Sequence, residues 1–136
     1  MKKQIEVCAA LIKKDDKYFV VQRGPKGEVA FKWEFPGGKI EKNETHKEAL
    51  KREIKEELNV DIEVNDFLMT VNHEYQTFNL TMHAYNSKII AGTLKMREDQ
   101  NNCLWLKPTE MNNYDFAAAD LPIIEKLIKR AKDNKR

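Results

Sequence analysis

The sequence predicts an α/β sandwich built on a mixed sheet. Three observations carry this expectation. Residues 4–12 (QIEVCAALI) and 18–23 (YFVVQR) have strand composition and flank a turn near Asp15 and Asp16. A helical pattern runs from about Thr45 to Leu58, followed by further strand-like segments. The chain closes on a second helical stripe, Leu121, Ile124, Leu127 and Ile128. Strands, a helix, more strands and a last helix pack as helices laid on a sheet.

The elements follow in order. The apolar stretch after the N-terminal lysines is short and alternating and lacks a small-residue cleavage site, so it reads as a strand rather than a signal peptide. Residues 24–31 (GPKGEVAF) read as a loop, punctuated by Gly24, Pro25 and Gly27. Thr45 and Glu48 have the spacing of a capping box at the start of the central helix. Asn59 stands where a left-handed C-cap residue is expected. Residues 60–71, 78–90 and 102–108 carry β-branched or alternating character, and 108–114 reads as a short helical turn or loop.

The 136 residues amount to about one domain, taken as 1–136. The net charge of +2 gives no electrostatic case for a nucleic-acid polymer as partner. No apolar run approaches the roughly 20 residues of a membrane span. Cys8 and Cys103 are far apart in sequence and form no metal-like pair; they read as buried free thiols of a reducing cytoplasm.

The central helix carries the chemistry. On a wheel of about 100° per residue, Leu50, Ile54 and Leu58 form a core stripe. Glu53, Glu56 and Glu57 crowd a neighbouring stripe, with Lys47, Lys51 and Lys55 turned mostly elsewhere. Like charges at i, i+3 and i+4 destabilise a helix by a few tenths of a kcal/mol per pair. Near the C-terminus the helix dipole disfavours them further. On its own such a helix is usually just a solvated charged face. A hard divalent cation reverses the balance, because Mg²⁺ is held by a few carboxylates together with substrate phosphates. The preceding Gly37-Gly38-Lys39 supplies a turn with glycines that permit unusual backbone angles and close approach of a ligand, and a cation to meet phosphate. Its spacing is not that of a P-loop.

From Gly38 the chain reads G, five residues, Glu44, seven residues, then Arg52-Glu53-Ile54-Lys55-Glu56-Glu57-Leu58-Asn59-Val60. This resembles the Nudix box, G-x5-E-x7-R-E-U-x-E-E-x-G-U, with U a bulky apolar residue. Only the last glycine departs, at Asn59. Gln22-Arg23, WEFPGGKIE at 33–41, the acid in REDQ at 97–100 and DFAAADLPIIEKL at 115–127 also resemble MutT-type members, so the likeness spans nearly the whole chain. It implies the Nudix α/β/α sandwich with a loop-helix-loop metal site. It also implies hydrolysis of a nucleoside triphosphate to a monophosphate and pyrophosphate.

Carried over by position, Glu53, Glu56, Glu57 and Glu98 would hold Mg²⁺, with Mn²⁺ able to substitute and the Gly37 carbonyl a further ligand. Asp99 competes with Glu98. Arg52 would orient the acids and Glu44 would support the loop-helix-loop. The general base is Glu56 or Glu98. Arg23 and Lys39 would steady the triphosphate beside Gly38. Phe35 is a stacking platform for the base or simply core. Phe78 stands where some relatives carry a basic residue. Asp120 matches the position where relatives specific for 8-oxoguanine carry Asn, and its surroundings look like those of relatives acting on cytidine-type and oxidised purine nucleotides. It reads the base, caps the last helix, or both. An ionised Asp120 would accept from an amine and turn away the carbonyl of uracil or thymine. His46, His73 and His83 read as surface or strand residues rather than catalysts. The implied partner is a small-molecule nucleotide, in a monomer or homodimer. Two alternatives stay open: a Nudix enzyme for another substrate, such as a dinucleoside polyphosphate or nucleotide sugar, and a non-catalytic binding module.

Overall fold

The computed structural model describes residues 2–96 and 100–133. Strand β1 (Lys3–Lys14) turns at Asp15-Asp16 into β2 (Lys17–Arg23). Asp15 takes the left-handed conformation at φ 59°. This lets Lys14 pair with Lys17 across a two-residue turn. Two short strands follow, β3 (Trp33–Glu34) and β4 (Gly37–Lys39), then α1 (His46–Leu58), β5 (Val60–Glu74), β6 (Phe78–Gly92) and β7 (Gln100–Leu106). Two 3₁₀ turns, Pro108–Asn113 and Ala118–Asp120, lead into α2 (Leu121–Asp133). Among the described residues no helix is long and apolar enough to cross a membrane.

The sheet has the order β3-β2-β1-β6-β5, with β4 paired to β1 and β7 to β2. It is mixed because β1 and β6 run parallel while the other strand pairs run antiparallel. Strand β1 is buried on both faces, as a strand between two helical layers must be. Ala9 and Leu11 face a core closed by Ile123, Ile124 and Leu127 of α2. Cys8, Ala10 and Ile12 face the other core, closed by Leu50, Ile54 and Leu58 of α1. This is the expected α/β/α sandwich.

Three expectations need correction. Residues 33–39 are two short strands rather than only a turn, and neither Gly37 nor Gly38 has positive φ. Leu121, the first residue of α2, is 46% exposed, and Ile123 joins Ile124 and Leu127 in the buried stripe instead. Cys103 is only half-buried, while Cys8 is buried; both are free thiols.

Candidate active site

The α1 helix starts and stops on the residues that the sequence marks. The Thr45 side chain accepts from the Glu48 amide, and the Glu48 carboxylate accepts from the Thr45 amide. Asn59 closes the helix at φ 61° and ψ 30°, so asparagine fills the position of the missing glycine.

Arg52 organises the acids along this helix. Its Nε donates to Glu44 Oε2 at 2.8 Å and its Nη2 to Glu44 Oε1 at 2.9 Å, a fork-on-fork pair. Nη1 donates to Glu53 Oε1 at 2.9 Å, and Nη2 also donates to the Lys39 carbonyl at 3.0 Å. One guanidinium therefore ties strand β4, the loop before α1 and Glu53 of α1 together. The Arg52 hydrogen bonds, helped by the Glu41 amide, hold the Glu44 carboxyl down to about 2.

A cleft of about 690 Å³ opens beside this array. Gly37, Gly38, Lys39, Glu53 and Glu57 line one end. Glu56 is not among the lining residues; its side chain is 55% exposed and sits 3.6 Å from Arg52 Nη1. The glycines are needed for close approach in an extended backbone. A Cβ on Gly37 would overlap the Cys8 carbonyl, and one on Gly38 would overlap the Glu53 carboxyl. The donors at this end are carboxylates, with the backbone of Gly37 alongside, which suits a hard divalent cation of the kind Nudix hydrolases use. Glu98 and Asp99 lie outside the described residues.

Phe35, Phe78 and Asp120 line the cleft with Arg23, Glu34 and Tyr75. Phe35 is 3% exposed and packs on Phe116 at 6.1 Å, so its ring belongs mainly to the core. Phe78 is half-buried and leans on Tyr75 at 4.8 Å. Asp120 is 3% exposed. Its carboxylate takes a hydrogen bond from the Phe35 amide, while Oδ1 has no hydrogen-bond partner. Burial raises its pKa well above the usual range, and the neighbouring Glu34 charge raises it further. Glu34 is also raised by burial, while Arg23 pulls it down through contacts of 3.3–3.4 Å. Burial thus disfavours the charged form of both acids. Burial therefore disfavours the ionised form of Asp120, the form that the sequence expectation of a purely accepting carboxylate requires.

Arg23 thus meets Glu34 directly. Sequence reasoning missed Glu34 and Tyr75, whose hydroxyl accepts from the Ala119 amide at 2.9 Å. Glu34 sits inside WEFPGGK, but nothing in the sequence placed it against residue 120 some eighty positions later.

The sheet, the acid helix and the cleft define a Nudix hydrolase. The NUDIX domain family matches residues 7–126, and the chain belongs to it. It is 37% identical over 123 residues to the CTP pyrophosphohydrolase of Escherichia coli K12, covering 90% of each chain. It is 39% identical over 82 residues to the 8-oxo-dGTP diphosphatase of Proteus vulgaris, covering 60% of this chain and 73% of that one. A solution structure of a MutT protein of the Nudix hydrolase family from methicillin-resistant Staphylococcus aureus superposes with TM-score 0.75 at 38% identity, covering 96% and 99%.

Proposed function

We propose that this enzyme hydrolyses cytidine-type or oxidised-guanine nucleoside triphosphates to monophosphate and pyrophosphate with Mg²⁺, guarding the cytoplasmic nucleotide pool. One observation supports the reading above the others. A single cleft joins the Glu53–Glu57 end of α1 to the Glu34–Asp120 pair, so phosphates and base have separate ends of one site. The names of the two enzymes similar to this chain point to the same two nucleotide classes.

In this reading Glu53, Glu57 and the Gly37 carbonyl hold the ion, with Glu56 joining from the rim. When bound, the ion neutralises phosphate oxygens and lowers the pKa of water. Arg52 keeps Glu53 aimed into the cleft, and Lys39 offers a cation to the phosphate chain. Glu56 or Glu98 takes the proton of the attacking water. At the other end Phe78 lies against one face of the base, beside Tyr75.

Glu34 and Asp120 divide base recognition between them. Glu34, which Arg23 contacts, accepts; Asp120, whose charged form burial disfavours, donates. Cytosine offers its N4 amine beside the accepting N3, and oxidised guanine offers N–H groups beside a carbonyl. With the exocyclic position facing Glu34, uracil and thymine would set a carbonyl against a carboxylate. An unpaired buried charge of that kind costs about a few kcal/mol, roughly a hundredfold in selectivity.

Steady-state kinetics on dCTP, 8-oxo-dGTP and dTTP test this. Glu34→Gln should collapse the preference over dTTP, because an amide both donates and accepts. Asp120→Asn should keep the preference within several-fold, since its amide replaces a neutral donor. The opposite pattern would show that Asp120 is the ionised reader.

A further inference from the structure

We propose that Glu6, His46 and His83 form a second cation site, specific for a borderline divalent transition ion such as Zn²⁺, Ni²⁺ or Co²⁺. One ligand atom from each residue lies within 4.8 Å of the other two. None of the three lines the catalytic cleft. Glu6 alternates with Ile5 and Val7, so it lies on the α1 face of β1, while Ile5 and Val7 line the cleft. The site joins three elements: Glu6 from β1, His83 from β6 and His46, the first residue of α1.

The surroundings of the rings match what a ligand histidine needs. Thr70 Oγ1 lies 2.8 Å from His83 Nδ1, and Tyr85 Oη lies 2.8 Å from His46 Nδ1. Each hydroxyl can accept the Nδ1 proton, which leaves Nε2 as the ligand atom of each ring. Partners on the far nitrogen are the usual support of metal-bound imidazoles. His83 Nε2 is 2.6 Å from Glu6 Oε2, so without an ion a proton lies between them. The two rings stack at 4.2 Å, 18° from parallel, on a half-buried surface.

Two imidazoles and one carboxylate favour Zn²⁺, Ni²⁺ or Co²⁺ over Mg²⁺, which takes oxygen ligands and retains water. Bonds of about 2.0–2.2 Å place tetrahedral donors roughly 3.3–3.6 Å apart. The stacked rings must turn toward the ion, and the Glu6–His83 contact must open as the ion replaces the shared proton. Binding therefore releases a proton. It also fastens the start of α1, the helix that carries the catalytic acids, to the central parallel strand pair.

The test is a Co²⁺ titration of the whole protein in millimolar Mg²⁺, which occupies the carboxylate cleft. The expected result is one equivalent of Co²⁺ with a visible d–d absorption band, displaced by Zn²⁺, with proton release and a rise in Tm. His46→Gln and His83→Gln should weaken binding at least about tenfold, while Mg²⁺-dependent hydrolysis confirms that they fold. Glu57→Gln should keep the band. If Mg²⁺ abolishes Co²⁺ binding, or the band is lost in Glu57→Gln and kept in the histidine variants, the proposal is wrong and the trio is only a hydrogen-bonded cluster.

Discussion

At the scale of the residue, Asp120 sets stability against recognition. A carboxyl with one unpartnered oxygen in a buried site is destabilising, more so when ionised. Its folded pKa is raised above the unfolded value. The stability it contributes is therefore complete below about 3.9, the unfolded value, and is lost as pH rises through the raised folded value. Asp120→Asn removes the titration and keeps the shape. The variant should be the more stable protein at pH 8 by about 1–3 kcal/mol, with the gain shrinking as pH is lowered toward 4. Thermal melts of both proteins across that range check this. A constant difference would mean that Asp120 titrates normally and that burial is not what distinguishes it.

At the scale of the element, α1 was legible because its signals are local. The capping box, the Leu50-Ile54-Leu58 stripe and the Asn59 cap all act within one helix, and sequence spacing alone determines them. The Arg52 contact to Glu53 was implied by the family likeness, whereas its fork on Glu44 appears only in the folded loop and helix. The short strands β3 and β4 were not legible, because two or three residues carry no periodicity and their pairing partners lie on β1 and β2. The Glu34–Asp120 pair and the Glu6–His46–His83 cluster were hidden for the same reason: each joins elements far apart in sequence.

The loop between β2 and β3 is a second element whose role only tertiary structure reveals. Glu28 reaches across to the β5–β6 turn and accepts from the Gln76 amide at 2.7 Å, the Thr77 amide at 2.8 Å and the Thr77 hydroxyl at 2.7 Å. Gly27, Glu28, Val29 and Thr77 all border the cleft, so this clasp closes its rim. Those hydrogen bonds, led by the Gln76 amide, lower the Glu28 pKa. The clasp is thus complete above the ordinary carboxylate value and is lost as pH falls through the lowered one. Glu28→Ala should raise KM several-fold with little change in kcat, because the rim loosens while the acid helix is untouched. Faster proteolysis within residues 24–31 should accompany it. A fall in kcat at constant KM would place Glu28 in the chemistry instead.

At the scale of the whole molecule, the sandwich explains why one cleft can hold two kinds of chemistry. Strand β1 separates two cores, and β4 lies along it with Gly37 against the Cys8 carbonyl and Gly38 against the Glu53 carboxyl. The acids of α1 reach the cleft from one layer, and Asp120, at the end of the 3₁₀ turn that leads into α2, reaches it from the other. A nucleotide anchored by its base at Asp120 and Glu34 must run its phosphates toward Glu53 and Glu57. On the function proposed above, hydrolysis within the chain, at a phosphorus held near those acids, would leave a monophosphate with the base and release pyrophosphate. Chelation should abolish turnover, and Mg²⁺ or Mn²⁺ should restore it. Glu57→Gln should lose activity by orders of magnitude while its melting temperature holds or rises, since one like charge has left the i, i+4 pair with Glu53. Chromatography of the early products decides the point of cleavage. A nucleoside diphosphate and orthophosphate as first products would place the reacting phosphorus at the chain's outer end, and the base would then have to bind somewhere other than beside Asp120.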